Sequence, residues 1–378
     1  MQSPPITDRA KPYLFIAIAA ILAFLPVASM QFTLKNDVLG IEYPIQHFMS
    51  DSLHQGEFPS WFNTWCMGFP LQSILTWGVF STPRMLIGWL LPGNIYVFQL
   101  EFLFYIMASG WGMYKLLKTH FIADRTIALL LSCCYMLSGF TVGSSQWLLY
   151  ITAMTFVPLL LYCLLSLLKK PSLKYALLFA IAVYLLFTNV HIYLSVVSFY
   201  LLFAFIIAYV AAMMALKQPD RYKKIRWLLS ASLLAALLCA APAYYTYELV
   251  QYLDRRNSIA EELAFFQSNY LHPDALSSLL VPLSSIKTTH ANTEGTVLNS
   301  YIGLLPLLLL PVSVMINRKN NNRLSWVLLM ASVLFLIVSF GHLTPVRGWM
   351  NILPAMSRFR HPGVLRVFFN FLFILYLA

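Results

Sequence analysis

Ten apolar runs decide what this chain can become. They fall at about residues 13–34, 94–116, 126–143, 150–168, 172–190, 192–216, 226–248, 297–316, 324–340 and 363–378. Most are long enough to cross a hydrocarbon core of about 30 Å at 1.5 Å per residue. Lipid offers no partner to a backbone N–H or C=O, so a continuous run of this kind crosses as an α-helix. Composition agrees, with 60% of residues hydrophobic and only 10% charged, where soluble domains are about half apolar and a quarter charged. The sequence therefore predicts an all-α, polytopic membrane protein of about ten transmembrane helices. It contains no soluble domain, internal repeat or low-complexity tract. The last run ends at Ala378 after about sixteen residues, where a span needs about 20. The expectation is a single transmembrane domain over residues 1–378 that belongs to a longer chain.

Charge placement sets the orientation. A net charge of +11 would point to nucleic acid in a soluble protein; here 16 of the 25 Lys and Arg fall in the short segments that a cytoplasmic N-terminus places inside. The acids Asp37, Glu42, Asp51, Glu57, Glu248, Asp254, Glu261, Glu262, Asp274 and Glu294 all fall outside. The lipid bilayer, and no nucleic acid, is the partner this distribution fits. Arg9 and Lys11 precede the first run, which is longer than a signal-peptide core and is followed by many more, so it reads as an uncleaved helix. Cys66 alone among five cysteines lies in a polar segment, which excludes a disulfide framework and a CxxC metal site.

Two outside segments are long, 35–93 and 249–296. In the first, residues 44–56 predict a short helix with Ile45, Phe48, Met49 and Leu53 on one face. The stretch 71–92 is apolar but broken by Pro83 and carries Arg84, which predicts helices lying in the membrane interface. Trp61, Trp65 and Trp77 read first as an interfacial belt.

Three outside segments carry motifs: "NDVLGIEYPIQHFMSDSLHQGEFPSWFNTWCMGFP", "NSYIGLLPLLLL" and "GHLTPVRGWMNILPAMSRFRHPGVLRVF". Their ordered pattern is an Asp, Tyr-Pro, Gly-x-x-Pro-x-Trp and Gly-x-Pro, then Tyr-x-Gly, then Gly-x-x-Thr-Pro, Leu-Pro and Phe-Arg-x-Pro. It resembles the YfhO family of bacterial multi-spanning membrane proteins. The resemblance implies a GT-C-type glycosyltransferase architecture in the bacterial inner membrane. It also implies a polyprenyl-phosphate-linked sugar donor and an acceptor in the cell envelope: a polysaccharide, teichoic-acid-like polymer, lipid or protein. The Trp-Trp-Asp signature of the oligosaccharyltransferase branch is absent. In "FTNVHIYLS", where relatives often carry Gly-His-x-Gln, only His191 matches.

On that resemblance Asp37 occupies the place of the acidic residue that GT-C enzymes hold in the first outside loop. One carboxylate suits the chemistry. A sugar leaving a lipid phosphate departs from a stable anion, so the paired carboxylates of glycosidases are unnecessary. A base for the acceptor hydroxyl remains, a step worth about 10²–10⁴ in rate. The alternative is a solvated interfacial Asp beside Lys35. Glu42 is a candidate for orienting the acceptor or supporting a divalent cation; no cofactor is otherwise expected, and two carboxylates at this spacing make no metal site alone.

Arg360, then Arg358, Arg84 and Arg366, are candidates for the donor phosphate, since the guanidinium fork matches phosphate oxygens. The competing reading is that they are snorkelling anchors at helix ends. Glu101 lies inside the second run, where an acid costs about 2.5–3.5 kcal/mol and must face protein or water; it reads as paired with an outside arginine or as a second catalytic acid. His191 and His361 are candidates of the same outer surface. Two other functions fit the run count, a lipid or polysaccharide transporter or flippase and a non-catalytic envelope-assembly protein. A transporter would be expected to show paired discontinuous helices in related halves, and no such pairing is visible.

Overall fold

A computed structural model describes residues 6–64, 67–76, 78–250, 252, 269–285, 293–359 and 361–378. Among them the chain is mostly helical. In order the longer helices are α1 (Ile6–Ala23), α2 (Tyr43–His54), α3 (Thr82–Leu90), α4 (Ile95–His120), α5 (Arg125–Met136), α6 (Leu148–Lys169), α7 (Leu173–Asn189), α8 (Ile192–Ala215), α9 (Arg221–Val250), α10 (Leu304–Lys319), α11 (Arg323–Ser339) and α12 (Arg366–Leu377). Every one of the ten apolar runs holds a helix. Among the described residues four helical stretches are long and apolar enough to cross a membrane: Arg125–Gly143, Leu148–Lys169, Ile192–Ala215 and Arg221–Val250. Shorter apolar helices lie at Ala10–Ala23, Leu173–Asn189, Arg323–Ser339 and Pro362–Leu377. The chain divides into two compact units, one of residues 1–34, 99–155 and 257–378, the other of residues 35–98 and 156–256.

In the first unit α12 is the centre. Its sequence, RVFFNFLFILYL, is apolar on every side, and a helix of that kind must be enclosed. Residues Arg366–Tyr376 are buried, with α11, α10 and α5 packed around them. Phe368 lies tilted against Phe335 at 5.0 Å, and Phe371 meets Tyr135 edge-on at 6.2 Å. Ser332 donates to the Phe369 carbonyl at 3.1 Å. Gly110 lets α4 approach α1 and α5 closely: a Cβ there would lie 2.7 Å from Ile16 Cγ2 and 2.8 Å from Met136 Sδ.

In the second unit α9 packs along α7, and α2 against α3. The expected helix after residue 43 forms, with Ile45 and Met49 fully buried. They join Phe62, Leu71 and Val79 in one core, flanked by Phe48, Phe69 and Met85. The Gly-x-x-Pro-x-Trp and Gly-x-Pro motifs become a small hairpin, β1 (Trp61–Phe62) against β2 (Phe69–Pro70), with Trp61 opposite Pro70 and Phe62 opposite Phe69. Gly68 has φ +95°, and any Cβ there would strike the Trp61 ring at 2.2 Å. The apolar stretch after residue 70 yields only a short helical turn, Leu71–Ser73, and the nine-residue α3, opened by Pro83 in its first turn.

Close backbone approach in the first unit generates a test. A Cβ on Gly139 would sit 2.3 Å from Asn299 Oδ1 and 2.7 Å from the Tyr301 nitrogen, whereas one on Gly295 meets nothing within 4 Å. Gly139→Ala is therefore expected to cost about 1–3 kcal/mol and to lower the unfolding temperature of the detergent-purified protein. Gly295→Ala is expected to leave it unchanged.

Candidate functional site

Asp37 stands at the N-terminal end of a widened helical turn in the second unit. Asn36, just before it, takes a left-handed backbone (φ +62°), and its carbonyl accepts from the nitrogens of Leu39 and Gly40, each at 3.0 Å. Residues Val38–Glu42 then form a π-turn, in which the Tyr43 N–H reaches back to the Val38 carbonyl. Pro44 explains the widening. It has no N–H for the Gly40 carbonyl, and its ring would collide with that carbonyl in a regular α-turn. Opening the ring to i→i+5 relieves the clash, and π-turns of this sort recur at functional sites. The Asp37 side chain is half-buried, while Val38 beside it is fully enclosed.

At the other end of the turn Glu42 is 1% exposed and faces Arg84, which is 2% exposed. Glu42 Oε2 lies 3.5 Å from Arg84 Nη2. The Arg84 carbonyl accepts from Gln46 Nε2 at 3.2 Å, and Ser50 donates to the carbonyls of Gly88 and Leu91 at 2.9 and 3.1 Å. The loop before α3 is fastened in turn to the end of α7. Ser81 Oγ donates to Asn189 Oδ1, and Tyr184 donates to the Phe80 carbonyl at 2.7 Å. A continuous set of polar contacts thus runs from α7 through α3 to the turn that carries Asp37. His191 follows α7 and caps α8, its Nδ1 accepting from the Tyr193 nitrogen at 3.3 Å.

The first unit holds the other candidates. Arg366 is fully buried and donates to three backbone carbonyls: Thr296 at 2.7 Å, Gly363 at 2.8 Å and Asn299 at 3.3 Å. Its guanidinium also lies over the Phe140 ring at 5.0 Å. Gly143 leaves room for this strand of contacts, since a Cβ there would press on the Thr296 carbonyl at 2.4 Å. Arg358 is exposed, at the end of a short turn that begins after the left-handed Ala355. His361 is half-buried, and Arg360 between them lies outside the described residues. Glu101 is buried in the second turn of α4, two residues after Gln99, whose amide donates to the Phe32 carbonyl at 2.6 Å.

No protein-family model, curated protein or solved structure matches this chain. Among the described residues no three His, Cys, Asp or Glu side chains gather as a metal site would require.

Three residues that organise these surfaces carry no motif. Arg347 is buried and shapes the segment before Arg358, donating to Asn351 Oδ1 at 2.6 Å and to the carbonyls of Met356 and Phe359 at 3.0 and 2.5 Å. Asn269 donates to Glu294 Oε1 at 2.9 Å, and its Nδ2 stands 2.8 Å from His361 Nδ1. Nearby His342 stands edge-on to Tyr270 at 4.6 Å, and partial desolvation lowers its pKa. A basic residue within an apolar stretch was the available signal for Arg347; Asn269 and Glu294 look in sequence like ordinary loop.

Two stability outcomes follow from the buried arginines. Arg84→Met leaves a carboxylate buried beside no guanidinium and is expected to cost about 3–5 kcal/mol, most of it regained in Glu42→Leu/Arg84→Met; a thermal-melt double-mutant cycle measures both. Arg366→Lys replaces a planar fork by a single ammonium that cannot reach three carbonyls. It should cost about 1–3 kcal/mol, read in the same melts.

Proposed function

We propose that this chain is an outer-face glycosyltransferase of the bacterial inner membrane, moving a sugar from a polyprenyl-phosphate carrier to a cell-envelope acceptor. In this reading it has a GT-C-like architecture of about ten spans, with a cytoplasmic N-terminus. The observation that carries the reading is Asp37: a half-buried carboxylate on a π-turn whose far end is anchored by the enclosed Glu42–Arg84 pair. Such anchoring suits a group that must meet a substrate at fixed geometry.

The acceptor hydroxyl oxygen attacks the anomeric carbon as the bond from that carbon to the carrier phosphate breaks. The carrier leaves as a phosphate anion, and Asp37 takes the hydroxyl proton. The resemblance in sequence offers Arg360, and then Arg358, as the candidates for holding the donor phosphate. Glu42 and Arg84 act in this scheme by holding the turn, and Arg366 by holding the loops ahead of α12.

The test uses the full-length native gene. Asp37→Asn should retain normal membrane abundance and melting temperature yet lose transfer by about 10²-fold or more. Comparison of envelope glycans, lipids and glycoproteins by mass spectrometry against wild type and a deletion strain reads the loss and names the acceptor. A deletion that removes a glycan which Asp37→Asn still makes would overturn the assignment of the base. A deletion that alters no glycan would overturn the glycosyltransferase itself and favour transport.

A further inference from the structure

Two loops of the first unit meet at the end of α11. In the first, the Asn269 carbonyl accepts from the Gly363 nitrogen at 3.0 Å, and a Cβ on Gly363 would lie 2.7 Å from that oxygen. Two residues on, the Leu271 nitrogen donates to the Ser339 carbonyl at 2.7 Å. Leu271 and Ala275 join Leu298, Leu336 and Phe340 in a small core. The second loop starts directly from α11. Gly341 (φ +61°) brings it against the first, since a Cβ there would lie 3.0 Å from Tyr270 Cβ. Its short helix Val346–Met350 turns Arg347 inward onto the carbonyls of Met356 and Phe359.

Both loops are inside out. Polar side chains turn inward: the buried Ser278 Oγ accepts from the Ser300 nitrogen at 2.8 Å, and the buried Ser285 donates to the Leu298 carbonyl at 2.6 Å. Even exposed hydroxyls are satisfied locally, Ser277 donating to the Asp274 carbonyl at 2.7 Å and standing 2.8 Å from Ser284 Oγ. Apolar side chains turn outward. Leu280, Val281 and Leu283 are exposed in the first loop, and in the second Trp349 is 64% and Ile352 84% exposed. Charge stands at the margins. Asp274 pairs with His272 at 3.3 Å near the start of the first loop, and Arg358 ends the second. On α11 itself Val327, Met330 and Leu334 fall on one face and are exposed as well, so the helix that carries both loops is also apolar outward.

Water disfavours such a surface, because apolar area is driven out of it. A protein partner fits it poorly too. Protein interfaces carry about one hydrogen bond per 100–200 Å², whereas the donors Ser277, Ser285 and Arg347 are spent on neighbouring carbonyls. Acyl chains ask for no hydrogen bond. We propose that residues 276–283 and 343–353 lie in the bilayer, their apolar side chains among the acyl chains of the leaflet at that end of α11, as an in-plane platform and not as aqueous loops. Segments of this kind bury their apolar face about 5–10 Å into the headgroup–acyl boundary, the depth that favours an indole such as Trp349. Seated there, the loops hold the Asn269–Gly363 contact, and with it the start of α12, at the membrane surface. The proposal rests on α11 lying in a membrane and not on the glycosyltransferase reading.

Depth is read with an environment-sensitive fluorescent amino acid placed singly at Ile352 or at Leu280 of the full-length protein, in phosphatidylethanolamine–phosphatidylglycerol vesicles. Met330 on α11 serves as the lipid reference. Asn320, exposed in the turn between α10 and α11 beside Arg318 and Lys319, serves as the aqueous one. Lipid with dibrominated acyl chains should quench both loop positions severalfold more than aqueous iodide does, as at Met330, with the reverse at Asn320. Iodide quenching at either position as strong as at Asn320 overturns the proposal for that loop and returns it to water. Quenching by neither agent overturns it in favour of a protein cover, a second copy of this chain or another partner. If a labelled protein fails to insert, the native indole decides: Trp349→Phe should remove part of the fluorescence that brominated lipid quenches, and removal of iodide-quenched fluorescence alone overturns the proposal. Iodide quenching at Met330 itself overturns the proposal together with the membrane placement of α11. The glycan profile of the deletion strain, which tests the glycosyltransferase reading, is independent of all these outcomes.

Discussion

Backbone carbonyls that no helix or sheet satisfies are the constraint on which this molecule depends, and buried guanidinium groups answer it. In a chain that folds largely away from water, every loop returning between helices brings C=O groups that need donors. Arg366 supplies three from one side chain, drawing the loop at residues 296–299 onto the start of α12. Arg347 does the same for Met356 and Phe359. Arginine suits the task because its fork directs several N–H groups in one plane and remains charged without needing an acid beside it. The result is a set of loops whose shape is set by side chains from the segments next to them.

Arg84 shows the other use of the same group. It meets a carboxylate in an enclosed site, where desolvation removes much of the gain in stability. What such a pair does well is to permit one arrangement. Glu42 cannot leave its place at the end of the π-turn without stranding a charge, so Asp37 at the other end inherits a defined position. The polar chain continues through Ser81 to Asn189 and through Phe80 to Tyr184, giving the turn a footing on the long helix α7.

The helices were legible in the sequence because lipid imposes length and apolarity directly, and each apolar run contains one. The helix Tyr43–His54 was legible too, from the spacing of Ile45, Phe48 and Met49. Pairing was not. Glu42 and Arg84 are 42 residues apart, and nothing local in either segment announces the other. Arg366 read in sequence as a group reaching for phosphate at the surface, and the structure encloses it among carbonyls, a difference that rests on where the loop at 296–299 folds back. Asn269 and Glu294 are polar residues in a polar loop, distinguishable only once Gly363 is seen to need the Asn269 carbonyl. The π-turn stood closest to legibility, since Pro44 falls four residues after Gly40 and forbids the regular turn.

That turn has a consequence for how the chain can change. A turn one residue wider than its helix behaves as an insertion that has been absorbed. Residues before it are out of phase with α2 by about one helical step, roughly 100°. Substitutions that repack α2 against α3 can therefore proceed without turning Asp37 with them. Loss of a single residue between Val38 and Glu42 would do the reverse, swinging Asp37 to a different side of the helix although Asp37, Glu42 and Arg84 are all still present. Insertions and deletions, more than substitutions, are the changes this stretch is least able to absorb.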